Sequence, residues 1–105
     1  MTFTIKLAQN NDYKSLVTLS NQLGYPTNAK VIKNRLKDIL NDSNHIVFVA
    51  IEKKEVIAWV HAYKTLRIES DPFVEISGLV VDENYRKKRI GKNLVNQIID
   101  WANDF

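Results

Sequence analysis

The spacing of apolar and polar residues predicts a strand and then a helix in the first part of the chain. Polar and apolar side chains alternate from Phe3 to Ala8, a period of two that is typical of a strand. Helix-capping residue types follow at Asn10 to Asp12, and apolar residues then recur at helical spacing from Tyr13 to Leu23. Gly24 is predicted to end this helix in the left-handed conformation, and Pro26 comes two residues later.

A second helix is predicted after this turn. Thr27 or Asn28 is a suitable cap for it, since both residue types accept a hydrogen bond from the first turn of a helix. The apolar face of the helix comprises Ile32, Leu36, Ile39 and Leu40. The polar cluster Asn41 to Asn44 then predicts a turn.

The remaining chain predicts three successive strands and a final helix. His45 to Ile51 and Val56 to Lys64 are rich in β-branched and aromatic residues, and the polar turn Glu52 to Glu55 joins them as a hairpin. A third strand is predicted from Phe73 to Val81 and a helix from Gly91 to Asp104. The order β-α-α-β-β-β-α, without repeats or linkers, predicts a single α+β (mixed α/β) domain over residues 1–105. In it, helices would flank a mostly antiparallel sheet.

The composition excludes several classes of protein. With 45% hydrophobic and 26% charged residues, the chain has the composition of a folded domain rather than of a disordered segment. Because cysteine is absent, disulfides, thiolate metal sites and a cysteine nucleophile are excluded. No apolar stretch approaches the roughly 18 residues of a membrane span, and residues 1–6 lack the apolar core of a signal peptide. We therefore expect a cytoplasmic protein that does not contact a membrane.

A basic cluster at Arg86 to Arg89, with Lys92 just beyond it, is the most marked feature of the charge pattern. The net charge is only +3, from 15 basic and 12 acidic residues, so the rest of the chain is nearly balanced. No aromatic residues are interleaved with the cluster, which argues against a nucleic-acid partner. The two histidines, His45 and His61, lie on different predicted strands without ligand spacing, so we predict no metal site.

This basic segment connects the end of an apolar strand, Leu79 to Val81, with the last helix. The first N–H groups of a helix lack partners within it, and the helix dipole is positive there, so a helix start binds phosphate oxygens. Gly91 lets the backbone approach a phosphate closely, and the basic side chains add attraction. The pattern therefore indicates a phosphate or pyrophosphate site. A solvated basic loop is the alternative.

The segment Arg86-Lys87-Lys88-Arg89-Ile90-Gly91 resembles motif A of the GNAT superfamily of N-acetyltransferases, whose signature is Gln/Arg-x-x-Gly-x-Gly/Ala. Arg86 and Gly91 match the signature, whereas Arg89 stands where the family has glycine. The turn Leu23 to Pro26 and the strand Ala58 to His61 are also similar to elements of small GNAT proteins. The resemblance extends over the whole chain, because the order of predicted elements is that of the family.

This resemblance implies an enzyme that transfers the acetyl group of acetyl-CoA to a primary amine of a small molecule or a protein. Because no cysteine could form an acyl-enzyme, we expect direct attack of the amine on the thioester. The pantetheine arm of the cofactor would pair with the backbone of Leu79, Val80 and Val81. Its pyrophosphate would be held by Arg86 and by the segment Lys87, Lys88, Arg89, Ile90, Gly91 and Lys92.

Glu75 is the predicted general base. The attack of an ammonium group on a thioester needs a carboxylate that removes a proton, directly or through water. Glu75 matches the position of the catalytic glutamate in several branches of the family, and an outward-facing strand residue is the alternative. Strict alternation predicts that Glu75, Ser77 and Leu79 share one face of their strand.

The residues expected to contact the acceptor are Tyr25 and His61, for which packing roles are the alternative. Glu69 and Asp71 of the loop Leu66 to Pro72, together with Glu75, would give the cleft an acidic character that suits a cationic amine, unless they lie in solvent. The acceptor itself is not specified by the sequence.

The resemblance also implies that the C-terminal elements of the family, which follow the last helix, are missing from this chain. The strand Phe73 to Val81 would then have an exposed edge, and such an edge favours pairing with a second copy of the chain. A homodimer through this edge is one way to cover it, and the sequence leaves the oligomeric state open. A catalytically weak or inactive acyl-CoA-binding module is the alternative to a complete enzyme.

Overall fold

The computed structural model describes residues 2–25 and 27–104, and it confirms the predicted order of elements. These residues form four strands and three α-helices: β1 Thr4–Leu7, α1 Tyr13–Gln22, α2 Ala29–Leu40, β2 His45–Glu52, β3 Glu55–Thr65, β4 Phe73–Val81 and α3 Ile90–Ala102. Short 3-10 turns precede α1 and α3, at Asn10–Asp12 and Glu83–Tyr85. The bounds of β4 are those predicted, whereas α3 begins one residue earlier and ends two residues earlier than expected. Pro26 lies outside the described residues.

The four strands form an antiparallel sheet in the order β1-β2-β3-β4, and helices cover both of its faces. One face packs against α3, with a core that comprises Phe48, Ala50, Ile57, Ala58, Val60, Ala62, Ile90, Leu94 and Ile98. The other face packs against α1 and α2, with a core that comprises Ala8, Leu16, Leu36, Val47 and Val49. This α/β/α arrangement leaves β4 at an edge of the sheet, beside the start of α3.

The residue types at the end of α1 and at the start of α2 suit the turns that are observed there. Gly24 has a φ of 80°, which confirms the predicted left-handed end of α1. Of the two candidate caps of α2, Asn28 is the one that acts, because its side-chain oxygen accepts the Val31 N–H at 3.0 Å. These turns fix the course of the connection between α1 and α2, which lies opposite β4.

Two β-bulges change which side chains share a face of the sheet. The first lies between Ala50 and Ile51 in the β2–β3 pairing. The second lies between His61 and Ala62 in the β3–β4 pairing and leaves Ser77 as the extra residue of β4. A bulge inserts one residue into one strand and so reverses the alternation beyond it.

The second bulge overturns one expectation about Glu75. Glu75 lies opposite Tyr63, and Gly78 lies opposite His61, so both face the side of the sheet that α1 and α2 cover. Leu79 lies opposite Val60 and faces α3. The prediction that Glu75 and Leu79 share a face is therefore wrong, because strict alternation does not hold across Ser77.

Candidate functional site

A cleft and an adjoining chamber lie between the sheet and helices α1 and α2. The cleft has a volume of about 480 Å³ and opens along β4, and its lining comprises Ser20, Leu23, Tyr25, Thr27, Ile32, Arg35, Trp59, Ser77, Gly78, Leu79 and Val80. The chamber is smaller, about 130 Å³, and its lining comprises Leu16, Ser20, Ile32, Arg35, Leu36, Ile39, Val47, Trp59 and His61. Ser20, Ile32, Arg35 and Trp59 line both, so the two cavities lie side by side.

Trp59 lies across β4 because Gly78 leaves room for its ring. A Cβ at Gly78 would stand 2.9 Å from Cη2 of Trp59, closer than carbon atoms approach without a shift of one of them. Gly78 is opposite His61 in the sheet, and Trp59 is two residues before His61 on β3. The indole therefore forms the wall between the mouth of the cleft at β4 and the chamber at His61.

The free edge of β4 presents backbone groups of two residues. The Asp82 N–H donates to the Ile57 oxygen at 2.8 Å, which makes Val80 and Trp59 the pair that exchanges hydrogen bonds. The N–H and C=O groups of Leu79 and Val81 then point away from β3. Within the part of the chain that the structure describes, no strand pairs with this edge. The Arg86 side chain approaches it, since Nε donates to the Val81 oxygen at 3.4 Å.

The basic loop that follows β4 turns sharply before α3. Lys87 and Arg89 both have positive φ, 66° and 63°, and Arg89 is the residue before the first turn of α3. Ile90 is 1% exposed and anchors that first turn in the core, whereas Arg86, Lys87, Lys88, Arg89 and Lys92 are all exposed. Backbone turns of this kind point successive N–H groups in one direction, an arrangement that binds anions.

Gly91 brings the start of α3 against the end of β4. A Cβ at Gly91 would meet Leu79 Cδ2 at 3.8 Å and Val81 Cγ2 at 3.9 Å, which are ordinary contacts. The packing of the chain itself therefore leaves room for the methyl group of an alanine at Gly91. The same contacts place the free edge of β4 and the unpaired amides of α3 side by side.

Gln22, which the sequence analysis did not single out, fixes the approach to the basic loop. Its Nε2 donates to Asp82 Oδ2 at 3.3 Å, and its Oε1 accepts the Glu83 N–H at 3.2 Å. Asp82 also accepts the Asn84 N–H at 2.8 Å through its other oxygen. The end of α1 is thereby tied to the turn that leads into the loop.

A row of polar side chains crosses three strands beside the chamber. His45 Nδ1 and His61 Nε2 are 2.9 Å apart and share a hydrogen bond, and the ring of His45 stacks on Tyr63 at 5.2 Å between centroids. The Tyr63 hydroxyl donates to Glu75 at 2.6 Å. Asp42 Oδ2 lies 3.8 Å from His45 Nε2 at the outer end of the row.

This arrangement shifts the pKa values of His61 and Tyr63. Burial, and secondarily the nearby His45, lower the pKa of His61 below its usual value of 6.5. The hydrogen bond to Glu75 is the main cause that raises the pKa of Tyr63 above 10.0, with burial and the negative charge of Glu75 adding to it. In this row, His61 therefore favours its neutral form and Tyr63 its protonated form.

The structure brings together most of the predicted site residues, although not all of them. Tyr25 lines the cleft and His61 the chamber, and Leu79 and Val80 line the cleft beside the basic loop. Glu75 is held by Tyr63 and belongs to the lining of neither cavity.

The expected acidic character of the cleft is not observed. Glu69 and Asp71 are exposed, and, like Glu75, they line neither the cleft nor the chamber. Of the two possibilities left open by the sequence, these loop carboxylates therefore lie in solvent. The lining instead carries Arg35, which the sequence analysis did not single out although it is three residues from Ile32 on the apolar side of α2.

Among residues 2–25 and 27–104, no helix is long and apolar enough to cross a membrane. The same residues contain no group of three or more histidine, aspartate or glutamate side chains that could hold a metal ion.

The comparison with known proteins decides the family. The model of the acetyltransferase (GNAT) family matches residues 10–105. The chain belongs to the GNAT acetyltransferase family. This GNAT chain is therefore an acyltransferase, of a family that uses acyl-CoA. No curated protein sequence matches it.

Solved structures share the fold of this GNAT chain. A GNAT family acetyltransferase from Staphylococcus aureus is 28% identical with a TM-score of 0.86, over 99% of this chain and 80% of that one. A glucosamine-6-phosphate N-acetyltransferase from Arabidopsis thaliana is 20% identical with a TM-score of 0.85, over 99% and 76%. An aminoglycoside N-acetyltransferase in complex with CoA is 18% identical with a TM-score of 0.85, over 98% and 70%.

Proposed function

We propose that this GNAT protein transfers the acetyl group of acetyl-CoA to a primary amine. The observation that carries the proposal is the convergence of three features at the end of β4: a free strand edge, an exposed basic loop and the unpaired amides of α3. A long ligand with a peptide-like arm and a pyrophosphate matches all three features together. Either the edge or the loop alone would be much weaker support.

The cofactor would lie along β4 with its phosphates at the loop. The outward N–H and C=O groups of Leu79 and Val81 would bond the amides of the pantetheine arm, and Val80 would keep its bonds to β3. The Arg86 side chain would leave the Val81 oxygen when the arm takes its place and would turn to the pyrophosphate. Lys87, Lys88, Arg89 and Lys92 would add charge, and the amides of Ile90 and Gly91 would add hydrogen bonds.

The reaction would be a direct transfer within one complex of the protein, acetyl-CoA and amine. The amine nitrogen attacks the thioester carbonyl, the new C–N bond forms and the C–S bond breaks, so that CoA leaves as a thiolate that then takes up a proton. Glu75 would receive the proton of the amine. Because Glu75 lies beyond the lining of the cleft, a water molecule would carry this proton, and Tyr63 would orient the carboxylate.

The acceptor would enter the cleft between α1, α2 and β4. Tyr25, a residue that is 69% exposed and lines the cleft, would cover it, and His61 would contact its far end through the chamber. A homodimer through β4 would use the same backbone groups as the pantetheine arm. The two partners of this edge therefore exclude each other.

Calorimetric titration with acetyl-CoA and with acetyl-pantetheine, which lacks the pyrophosphate, tests the proposal. We expect micromolar binding of acetyl-CoA and binding of acetyl-pantetheine weaker by at least tenfold. Replacement of Arg86, Lys87 and Lys88 by glutamine would weaken the binding of acetyl-CoA and leave that of acetyl-pantetheine unchanged. A matched variant with glutamine at the exposed residues Lys6, Lys14 and Lys37 controls for the loss of three charges.

The outcomes separate the enzyme from its alternatives. Equal affinity for the two thioesters, or an equal loss in both triple variants, would contradict the cofactor site. Binding without acetyl transfer to any amine in a broad panel would favour the inactive acyl-CoA-binding module instead of the enzyme.

A further inference from the structure

Arg35 gives the acceptor side of the cleft a positive character. It lines both the cleft and the chamber, and no aspartate or glutamate among the described residues lines either of them. His61, the other titratable group of the chamber lining, has a lowered pKa and is neutral at physiological pH. Arg35 is exposed to solvent, and among the described residues it is the charged side chain that lines these two cavities.

The guanidinium of Arg35 is available to a ligand. Within the described part of the chain it forms no ion pair and no side-chain hydrogen bond, and Asp38, one turn further along α2, does not pair with it. Asp38 is the one acidic residue of α2, so this helix offers Arg35 no other carboxylate. An arginine in this setting binds carboxylate or phosphate oxygens in a bidentate manner.

We propose that the acceptor is a primary amine that also carries an anionic group, a carboxylate or a phosphate, and that Arg35 binds this group. The inference rests on the proposed function and names the substrate class of the same site. The amine would lie at Gly78 and Leu79, where the cofactor edge meets the cleft, and the body of the acceptor would pass along Trp59. The anion would then reach Arg35, which lines both the cleft and the chamber.

The same lining disfavours polycationic acceptors. Each additional ammonium group would enter a cleft without a carboxylate to receive it and with Arg35 as a like charge. Glu69 and Asp71, which could have attracted such an amine, are exposed outside the cleft. The positive charge of the lining therefore favours anionic acceptors over polycationic ones.

Acetyl transfer to matched pairs of amines that differ by one anionic group tests the proposal. Suitable pairs are 6-aminohexanoate with pentylamine, and glucosamine 6-phosphate with glucosamine; the first tests a carboxylate and the second a phosphate, each separated from the amine by the body of the molecule. We expect kcat/KM to be higher for the anionic member of at least one pair by about tenfold, as for a hydrogen bond to a charged group. Arg35→Gln would remove the preference, Arg35→Glu would invert it, and Arg35→Lys would retain part of it.

Lys37→Gln is the control, because Lys37 is exposed on the same helix and lines neither cavity. It would leave the preference unchanged. The proposal is overturned if neither anionic member is favoured over its neutral partner, or if Arg35→Gln retains the preference.

A binding measurement keeps the test independent of turnover. The indole N–H signal of Trp59 would shift on titration with the anionic members in the absence of acetyl-CoA, and would shift less in Arg35→Gln. Failure to bind acetyl-CoA would refute the proposed function, whereas an unselective Trp59 response together with normal acetyl-CoA binding would refute the acceptor class alone.

Discussion

Arg89 occupies a backbone conformation that glycine adopts without strain, and its replacement should reveal this strain. Its φ of 63° and ψ of 13° lie in the left-handed region, and it stands where the family signature has glycine. A residue with a Cβ is disfavoured there by about 1–2 kcal/mol. Glycine at the same position loses about 0.5–1 kcal/mol through the greater freedom of the unfolded chain. The difference leaves about 1 kcal/mol in favour of glycine.

The comparison of Arg89→Gly with Arg89→Ala isolates this term, because both variants lose the guanidinium. For a domain of about this size, 1 kcal/mol corresponds to roughly 4–8 °C in melting temperature. We therefore expect Arg89→Gly to melt about 4–8 °C above Arg89→Ala in thermal unfolding followed by circular dichroism.

Lys88 supplies the matched control, since it lies in the same loop, is exposed and has no positive φ. There, Lys88→Gly should be less stable than Lys88→Ala, the opposite order. If alanine is at least as stable as glycine at both positions, the loop does not have the conformation described here, and the reasoning is refuted.

Three further changes follow from the structure. Gly91→Ala should leave the melting temperature unchanged or slightly higher, since its Cβ has room, and should keep the affinity for acetyl-CoA in calorimetry, because the family signature accepts glycine or alanine at this position. A variant that binds acetyl-CoA at least tenfold more weakly would contradict the match of Gly91 to the signature. Lys54→Gly should raise the free energy of unfolding, measured in urea, by about 1 kcal/mol, because Lys54 has a φ of 68° in the hairpin turn. A less stable variant would contradict the left-handed conformation of Lys54. His61 should titrate below 6.5 in NMR, and His45→Gln should raise its pKa only part of the way, since burial is the larger cause. Because the folded chain disfavours the protonated form of His61, the free energy of unfolding should decrease as the pH drops below 6.5 and through the pKa of His61 in the folded chain. A pKa of His61 above 6.5 would contradict its burial beside His45.

The elements and the basic loop could be predicted from sequence because they depend on local patterns. The spacing and the types of apolar residues predicted the four strands and three α-helices of the described residues, and Gly24 predicted a left-handed helix end that the structure confirms. The two short 3-10 turns were not predicted. The basic cluster before Gly91 indicated the loop in the same way, since a strand, a charged turn and a helix follow one another along the chain.

The polar row beside the chamber could not be predicted, because it depends on two bulges. Without the bulge between Ala50 and Ile51, the hairpin register would put His45 and His61 on opposite faces. With the bulge, His45 lies opposite Tyr63, and the two histidines meet. No residue type at this position, such as a glycine, marks the bulge in the sequence.

The roles of Gln22 and Arg35 could not be predicted from the sequence for a different reason. Both are polar residues on helices, where most such side chains face solvent. Gln22 acts through a turn 60 residues further along the chain, and Arg35 through the packing of α2 over the cleft. Only the tertiary arrangement gives these two side chains a role.

The central claim, that acyl-CoA lies along the free edge of β4, is tested most directly by amide hydrogen exchange of three consecutive residues. Leu79 and Val81 direct their N–H groups to the free edge, whereas the Val80 N–H already bonds to Trp59. We expect acetyl-CoA to slow the exchange of Leu79 and Val81 strongly and to change that of Val80 little. The claim would be contradicted if acetyl-CoA left the exchange of Leu79 and Val81 unaltered. It would also be contradicted if acetyl-CoA slowed exchange equally at all three amides.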